Sequence, residues 1–295
     1  MDGIRKELEE RGFVKIPRSQ FCIDEASLLR LREEVEHLFS GHYETGIYPD
    51  EIHWRRGISR ENATKEICNG WKANREVAKI VAGEQLGRLA CDLMSWNSSR
   101  LGQDDVLDKP PQSTAIGFHQ DGAYISDNFV PEEENCLTMW IALDDADCEN
   151  GALQYAAGSH LWPHKAVSDI SSSSFHMGDK KDHLTSLREA AFKAGLDPEV
   201  VAASVETVCV EAGSLVVHHQ RVWHGSGPNQ SSHRQRRALV AHVLNGEVQW
   251  RTDARPHYIY GRYYIRGESF PREDFFPILF SKTSDKRRTY WLDPP

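Results

Sequence analysis

Between Arg100 and about Leu244 the chain is cut into short apolar runs: LTMWIAL (137–143), GALQYAA (151–157), GSLVVHH (213–219) and RRALVAHVLN (236–245). Gly, Pro and Asn punctuate them. Many short strands with frequent turn residues predict a barrel or a sandwich. A Ser-rich, more helical insertion interrupts the series. SSSSF (171–175) reads as a loop and residues 183–195 as a helix.

The flanks have a different texture. Residues 1–11 read as a short charged helix, and Gly12–Pro17 as a strand ended by proline. Leu28, Leu29, Leu31, Val35 and Leu38 follow a helical period over 24–39, with Asp24 as N-cap. Residues 42–62 are irregular and carry Tyr43, Tyr48, His53, Trp54, Arg55, Arg56 and Arg60. A second helical stretch runs from about Lys72 to Trp96. No internal repeat or linker is visible. The expectation is one domain over 1–295: a helical part (1–98), a β core (about 100–250) and an extension (251–295) rich in Arg, Tyr and Pro.

Composition narrows the function. Apolar residues make up 39 % of the chain, with eight Trp and eleven Phe, enough for a real core. The formal charge is −9, so the basic field of a nucleic-acid binder is missing. No run of 18 apolar residues suggests a membrane span. MDGIRKELEERGF lacks the apolar segment of a secretory signal, and the end LDPP is neither SKL nor KDEL. Cysteines 22, 68, 91, 136, 148 and 209 form no CxxC pair. Free, mostly buried thiols in a reducing cytoplasm are expected, without a disulfide framework or a structural zinc site. Oligomeric state is left open.

The chemistry gathers at two places. Gly117-Phe118-His119-Gln120-Asp121 reads as a strand, on which His119 and Asp121 share one face and Gln120 takes the other. An imidazole nitrogen and a carboxylate oxygen so spaced can chelate one metal ion. Alone, the tripeptide reads more readily as an ordinary surface strand. The second place is Val222-Trp223-His224-Gly225-Ser226-Gly227, with Arg236 twelve residues beyond His224. Two histidines and one carboxylate form a facial triad with three positions open. That suits non-haem Fe(II) taking a bidentate co-substrate and O2, whereas a structural zinc site is closed. A guanidinium beyond the metal can clamp a carboxylate through two parallel hydrogen bonds. The set has a joint logic: the metal holds the keto-acid end of 2-oxoglutarate and the arginine holds its far carboxylate.

The stretches LDKPPQSTAIGFHQDGAY (107–124), TMWIALDDADCENGALQYAAGSH (138–160), GSLVVHHQRVWHGSGPNQ (213–230) and RRALVAH (236–242) resemble the phytanoyl-CoA dioxygenase (PhyH) family of Fe(II)/2-oxoglutarate-dependent oxygenases. They lie in order over about half the chain. The resemblance implies a mainly β fold with flanking helices, its core a double-stranded β-helix (a cupin-like jelly roll). It implies His119, Asp121 and His224 as metal ligands, and Arg236 as the partner of the 2-oxoglutarate carboxylate. Ser226 would donate to that carboxylate, and Trp140 would line the cosubstrate pocket. There is one departure. The family's His-to-Arg interval is usually one residue shorter, so an insertion falls within Asn229–Gln235. Arg237, facing the other side of the strand, is the alternative. Arg236 is preferred because it stands two before the apolar position held by Ala238.

The resemblance further implies Fe(II), 2-oxoglutarate and O2 as cofactor and co-substrates. It implies hydroxylation of an unactivated C–H bond of a small metabolite, with succinate and CO2 formed alongside. Related halogenases replace the carboxylate ligand with a small residue, so Asp121 favours hydroxylation or desaturation. The family's substrates are diverse. Arginines and aromatics in 42–76 are expected to shape the pocket mouth, favouring a polar or zwitterionic, aminophosphonate-like compound. An acyl-CoA or a secondary metabolite is the alternative. Two rivals stand beside this reading: a Zn- or Mn-dependent cupin isomerase or hydrolase, and a non-catalytic jelly-roll binding module. Arg236 is otherwise a structural ion pair, Trp140 core, and Ser226 a turn cap. His218 and His219 read as hydrogen-bonded strand histidines rather than a second metal site. His53, Trp54, Arg55, Arg56 and Arg60 read as an anion site or lid, or equally as a solvated loop.

Overall fold

The structure is a computed structural model, and it describes the chain apart from Cys22, Glu133, 164–181, 254–257 and 284–295. The expected SSSSF loop lies outside the described residues. The strands in chain order are β1 (Phe13–Ile16), β2 (Glu51–Ile52), β3 (Lys65–Cys68), β4 (Ser98–Lys109) and β5 (Ile116–His119). Next come β6 (Phe129–Val130), β7 (Cys136–Ala142), β8 (Leu153–Tyr155), β9 (Glu206–Val208) and β10 (Leu215–His219). The last are β11 (His224–Ser226), β12 (Arg236–Asn245), β13 (Gln249–Trp250) and β14 (Ile278–Ser281).

Two antiparallel sheets build the jelly roll. The major sheet runs β1-β10-β7-β12-β4-β3-β2, with β14 also on β4, and the minor sheet runs β5-β11-β8-β9. Strand alternation sorts the side chains. Leu137, Met139 and Ile141 of β7, Leu215 and Val217 of β10, and Leu239, Ala241 and Val243 of β12 join one apolar cluster with Leu28, Leu31, Val35, Val77 and Leu86 from the helices. Each large aliphatic side chain fully removed from water there contributes about 1.5–3 kcal/mol. The residues between them turn to the other face: Trp140, Ala142, Val216, Ala238 and Val240 pack with Leu153 and Tyr155 of the minor sheet. Both faces of the central strands are therefore buried, which is why their sequences read as continuous apolar runs.

The flanking helices begin where their caps dictate. Asp24 accepts from the Ser27 amide at 2.7 Å and starts helix Glu25–Phe39. Asn74 does the same for Val77 at 3.0 Å. Helix Asp2–Arg11 ends at Gly12, whose φ of 81° suits glycine; a Cβ there would also lie 2.6 Å from His160.

Several expectations need correction. The helical stretch 72–96 is two helices, Arg75–Val81 and Glu84–Met94, broken at Ala82-Gly83. The insertion holds helix Thr185–Lys193 as expected, and a further one, Pro198–Ala203. The strand expected at Gly12–Pro17 is β1, but the helical N-terminal part also gives β2 and β3 to the major sheet, and the C-terminal extension gives β14. The HxD segment is only partly a strand. β5 ends at His119, and Asp121 has helical angles (φ −68°, ψ −30°) at the start of a turn. No helix among the described residues is long and apolar enough to cross a membrane.

Candidate metal centre

His119 and His224 stand directly opposite each other on β5 and β11. Their Nε2 atoms each lie 3.6 Å from Asp121 Oδ1. The three side chains are buried, and their donor atoms lie within 4.8 Å of one another. Backbone carbonyls fix the tautomers: Nδ1 of His119 donates to Gly117 O at 2.9 Å, and Nδ1 of His224 to Val222 O at 3.1 Å. Both Nε2 lone pairs are thereby left for the point shared with Asp121. Burial first, with neighbouring imidazoles adding to it, pushes His119 and His224 down to about 4, although the Asp121 charge works to raise both. Burial works to raise Asp121, but His224 and the hydrogen bond from His218 outweigh it and hold the carboxyl well below its usual range. Two neutral imidazoles and one carboxylate are the donor set that a divalent metal requires. The residues therefore fit a non-haem iron centre.

The cavity holding this cluster is lined by residues that all fall between Asp105 and His242. Among the described residues, segment 42–76 supplies none of this lining. Trp54 is buried and donates to Arg60 O at 3.0 Å, while Arg55, Arg56 and Arg60 are exposed.

Arg236 and Arg237 separate across β12. Arg237 points outward into a bidentate pair with Asp144, at 2.8 and 2.9 Å. Arg236 points into the cavity, 1 % exposed, and its Nε, Nη1 and Nη2 find no hydrogen-bond partner. The Trp140 ring lies 5.3 Å from its Cζ. The Trp140 indole N–H is also buried without a partner. Burial holds Arg236 down to about 10, even with Asp108 and Asp144 opposing.

Lys109 was missed by sequence reasoning. It lies opposite Arg236 in the β4–β12 register, fully buried, and donates to Ser226 Oγ at 3.0 Å. Burial, then Arg236, drives its pKa well below the usual range. A buried guanidinium without a partner, beside a buried amine, is costly unless an anion joins them. Asn229, inside the segment where the insertion was expected, braces this end by donating to Lys109 O at 3.1 Å and Arg234 O at 2.7 Å.

His218 is a hydrogen-bonded strand histidine, donating from Nε2 to Asp121 Oδ2 at 2.9 Å. His219 faces elsewhere and accepts from the Arg221 amide at 3.1 Å. Burial would lower His242, yet its hydrogen bonds to Asp105 and Cys136 and the Asp121 charge raise it well above its usual value.

A jelly roll with a His-Asp-His cluster beside a buried, anion-seeking arginine defines the class of non-haem iron, 2-oxoglutarate-dependent oxygenases. The sequence profile of the phytanoyl-CoA dioxygenase (PhyH) family matches residues 8–238, and the chain belongs to that family. It is 24 % identical over 245 residues, 81 % of this chain and 77 % of the other, to a Stutzerimonas stutzeri protein named "Probable alpha-ketoglutarate-dependent hypophosphite dioxygenase". Among solved structures it is similar to the non-heme alpha ketoglutarate dependent carbocyclase SnoK: TM-score 0.70, 22 % identity, 95 % of this chain and 96 % of that one. It is also similar to the epimerase SnoN in complex with Fe3+, alpha ketoglutarate and nogalamycin RO: TM-score 0.68, 19 % identity, 95 % and 98 % coverage. The protein is an Fe(II)- and 2-oxoglutarate-dependent dioxygenase, with O2 as co-substrate.

Proposed function

We propose that the protein hydroxylates an unactivated C–H bond of a small polar or zwitterionic metabolite of aminophosphonate type. His119, Asp121 and His224 hold the iron. Arg236, Lys109, Ser226 and Trp140 seat 2-oxoglutarate. The observation that carries this reading is the unpartnered Arg236 guanidinium in the same cavity as the triad. When bound, the iron supplies oxidative decarboxylation of 2-oxoglutarate coupled to attack on the substrate bond.

The chain's own residues do the rest. Arg236 and Lys109 neutralise the far carboxylate of 2-oxoglutarate, and Ser226 Oγ lies within reach of the same group. The Trp140 N–H offers a further donor. Leu107, Ile116, Leu153 and Val240 line the remaining wall and exclude water. Asp121 keeps its carboxylate charged because its neighbours hold it well below its usual range.

The relative named for hypophosphite supports a phosphorus-containing substrate. It also favours a second reading, oxidation of a P–H bond. The test is succinate release across a panel of aminophosphonates, hypophosphite, small zwitterions and acyl-CoA esters, with Fe(II) and 2-oxoglutarate present. Turnover on a compact phosphonate or zwitterion supports the proposal. Turnover on hypophosphite alone selects the second reading, and turnover on acyl-CoA esters alone overturns both.

A further inference from the structure

Asp121 has left the strand that carries His119, so the pleat of β5 does not set its side chain. The carboxylate is fixed from the opposite sheet instead. Thr138 Oγ1 of β7 lies 2.5 Å from Asp121 Oδ2, and His218 Nε2 of β10 lies 2.9 Å from the same oxygen. Oδ1 is the oxygen that faces both imidazoles, at 3.6 Å each.

The proton directions on both arms follow from the contacts. A carboxylate only accepts, so the Thr138 hydroxyl donates to Asp121. His242 Nδ1 lies 3.0 Å from the same hydroxyl oxygen. His242 Nε2 in turn donates to Asp105 Oδ2 at 3.0 Å, and Gln103 holds Asp105 Oδ1 at 2.6 Å. On the other arm Tyr155 donates to His218 Nδ1 at 2.9 Å, which leaves the Nε2 hydrogen for Asp121. Thr138, His218 and Tyr155 are each at most 2 % exposed, so water does not compete for these bonds.

We propose that Thr138 and His218 are positioning residues that hold Asp121 as a one-oxygen ligand. With Oδ2 engaged twice, Asp121 presents only Oδ1, and the positions needed by co-substrates are kept open. The inference rests on the metal assignment made above. Groups that orient a ligand in this way change metal affinity about 10- to 100-fold when removed.

The experiment measures Mn(II) affinity by calorimetry and the visible spectrum of bound Co(II), using the full chain stripped of metal. Thr138→Val and His218→Phe remove a donor at similar volume; Thr138→Ser and His218→Gln retain one. Val and Phe are expected to weaken Mn(II) binding about 10-fold or more and to alter the Co(II) spectrum, with Ser and Gln within about threefold of wild type. Wild-type affinity in both Thr138→Val and His218→Phe overturns the proposal. So does an equal loss in the conservative pair, which would mark a packing role. Asp121→Ala separates the two levels. If it loses metal while Thr138→Val and His218→Phe do not, only this inference falls. If it binds Mn(II) as tightly as wild type, the metal assignment falls as well.

Discussion

Replacing Arg236 by methionine should stabilise the ligand-free protein while removing its affinity for 2-oxoglutarate. The guanidinium is buried, faces Lys109 across the strand pair and has no hydrogen-bond partner. Burial lowers its pKa to about 10. At about 1.36 kcal/mol per pH unit, bringing that charge into the fold costs on the order of 3 kcal/mol. The sign follows from linkage. At pH 7 the group is charged in both states, so the whole penalty applies, and it is relieved only as pH rises through about 10. Methionine keeps most of the volume and is a mild packing change. At about 2 °C per kcal/mol for a chain of this size, Tm should rise by roughly 6 °C. With ligand the order reverses. Truncating a buried charge-pair partner costs about 2–5 kcal/mol, a Kd for 2-oxoglutarate roughly 30- to 3,000-fold weaker. Saturating 2-oxoglutarate at about 100 times Kd should add about 2.7 kcal/mol to the wild type and little to the variant. Differential scanning fluorimetry with Mn(II), with and without 2-oxoglutarate, reads both effects. A ligand-free variant that melts several degrees below wild type, or one that binds 2-oxoglutarate unchanged, refutes the reasoning.

Lys109→Met removes the second cation and should raise the KM for 2-oxoglutarate about 10- to 100-fold, since a charge-assisted hydrogen bond contributes about 1.5–3 kcal/mol; steady-state succinate release checks it. Because burial holds His119 and His224 down to about 4, the unfolded chain binds more protons between pH 6.5 and 4. The metal-free protein should therefore lose stability over that window, on the order of 3 kcal/mol per histidine, and His119→Gln should flatten the slope in a denaturant-against-pH series. Gly225→Ala would put a Cβ 2.9 Å from Ile116 O and 2.9 Å from the Phe118 ring. That pushes β11 off β5 and should cost about 1–3 kcal/mol, with a matching loss of Mn(II) affinity by calorimetry.

The convergence of the candidate centre was legible in the sequence where chemistry forces residue type. His119, Asp121, His224 and Arg236 carry groups that hydrophobic packing does not ask for, and their spacing is readable along the chain. The physical route to one member was misread. A pleat would place Asp121 beside His119, but the structure uses a turn and a tether from β7 and β10. Lys109 was illegible for a different reason. β4 reads SSRLGQDDVLDK, a sequence with three Asp that resembles a surface loop. It becomes the neighbour of β12 only through pairing distant in sequence, and two of its acids each take one partner from outside the strand: Asp108 Oδ2 from Lys65 at 2.8 Å, Asp104 Oδ1 from the Trp71 amide at 3.1 Å.

The central claim is that one metal ion and one dicarboxylate share the cavity between the two sheets. Crystals grown with Mn(II) and 2-oxoglutarate in the absence of oxygen test it directly. The anomalous map should place Mn(II) about 2.0–2.3 Å from His119 Nε2, His224 Nε2 and Asp121 Oδ1, with the far carboxylate on Arg236. Metal bound instead at the other cluster of potential ligands, His53, Glu66 and Cys68, or a dicarboxylate that leaves Arg236 untouched, would contradict it.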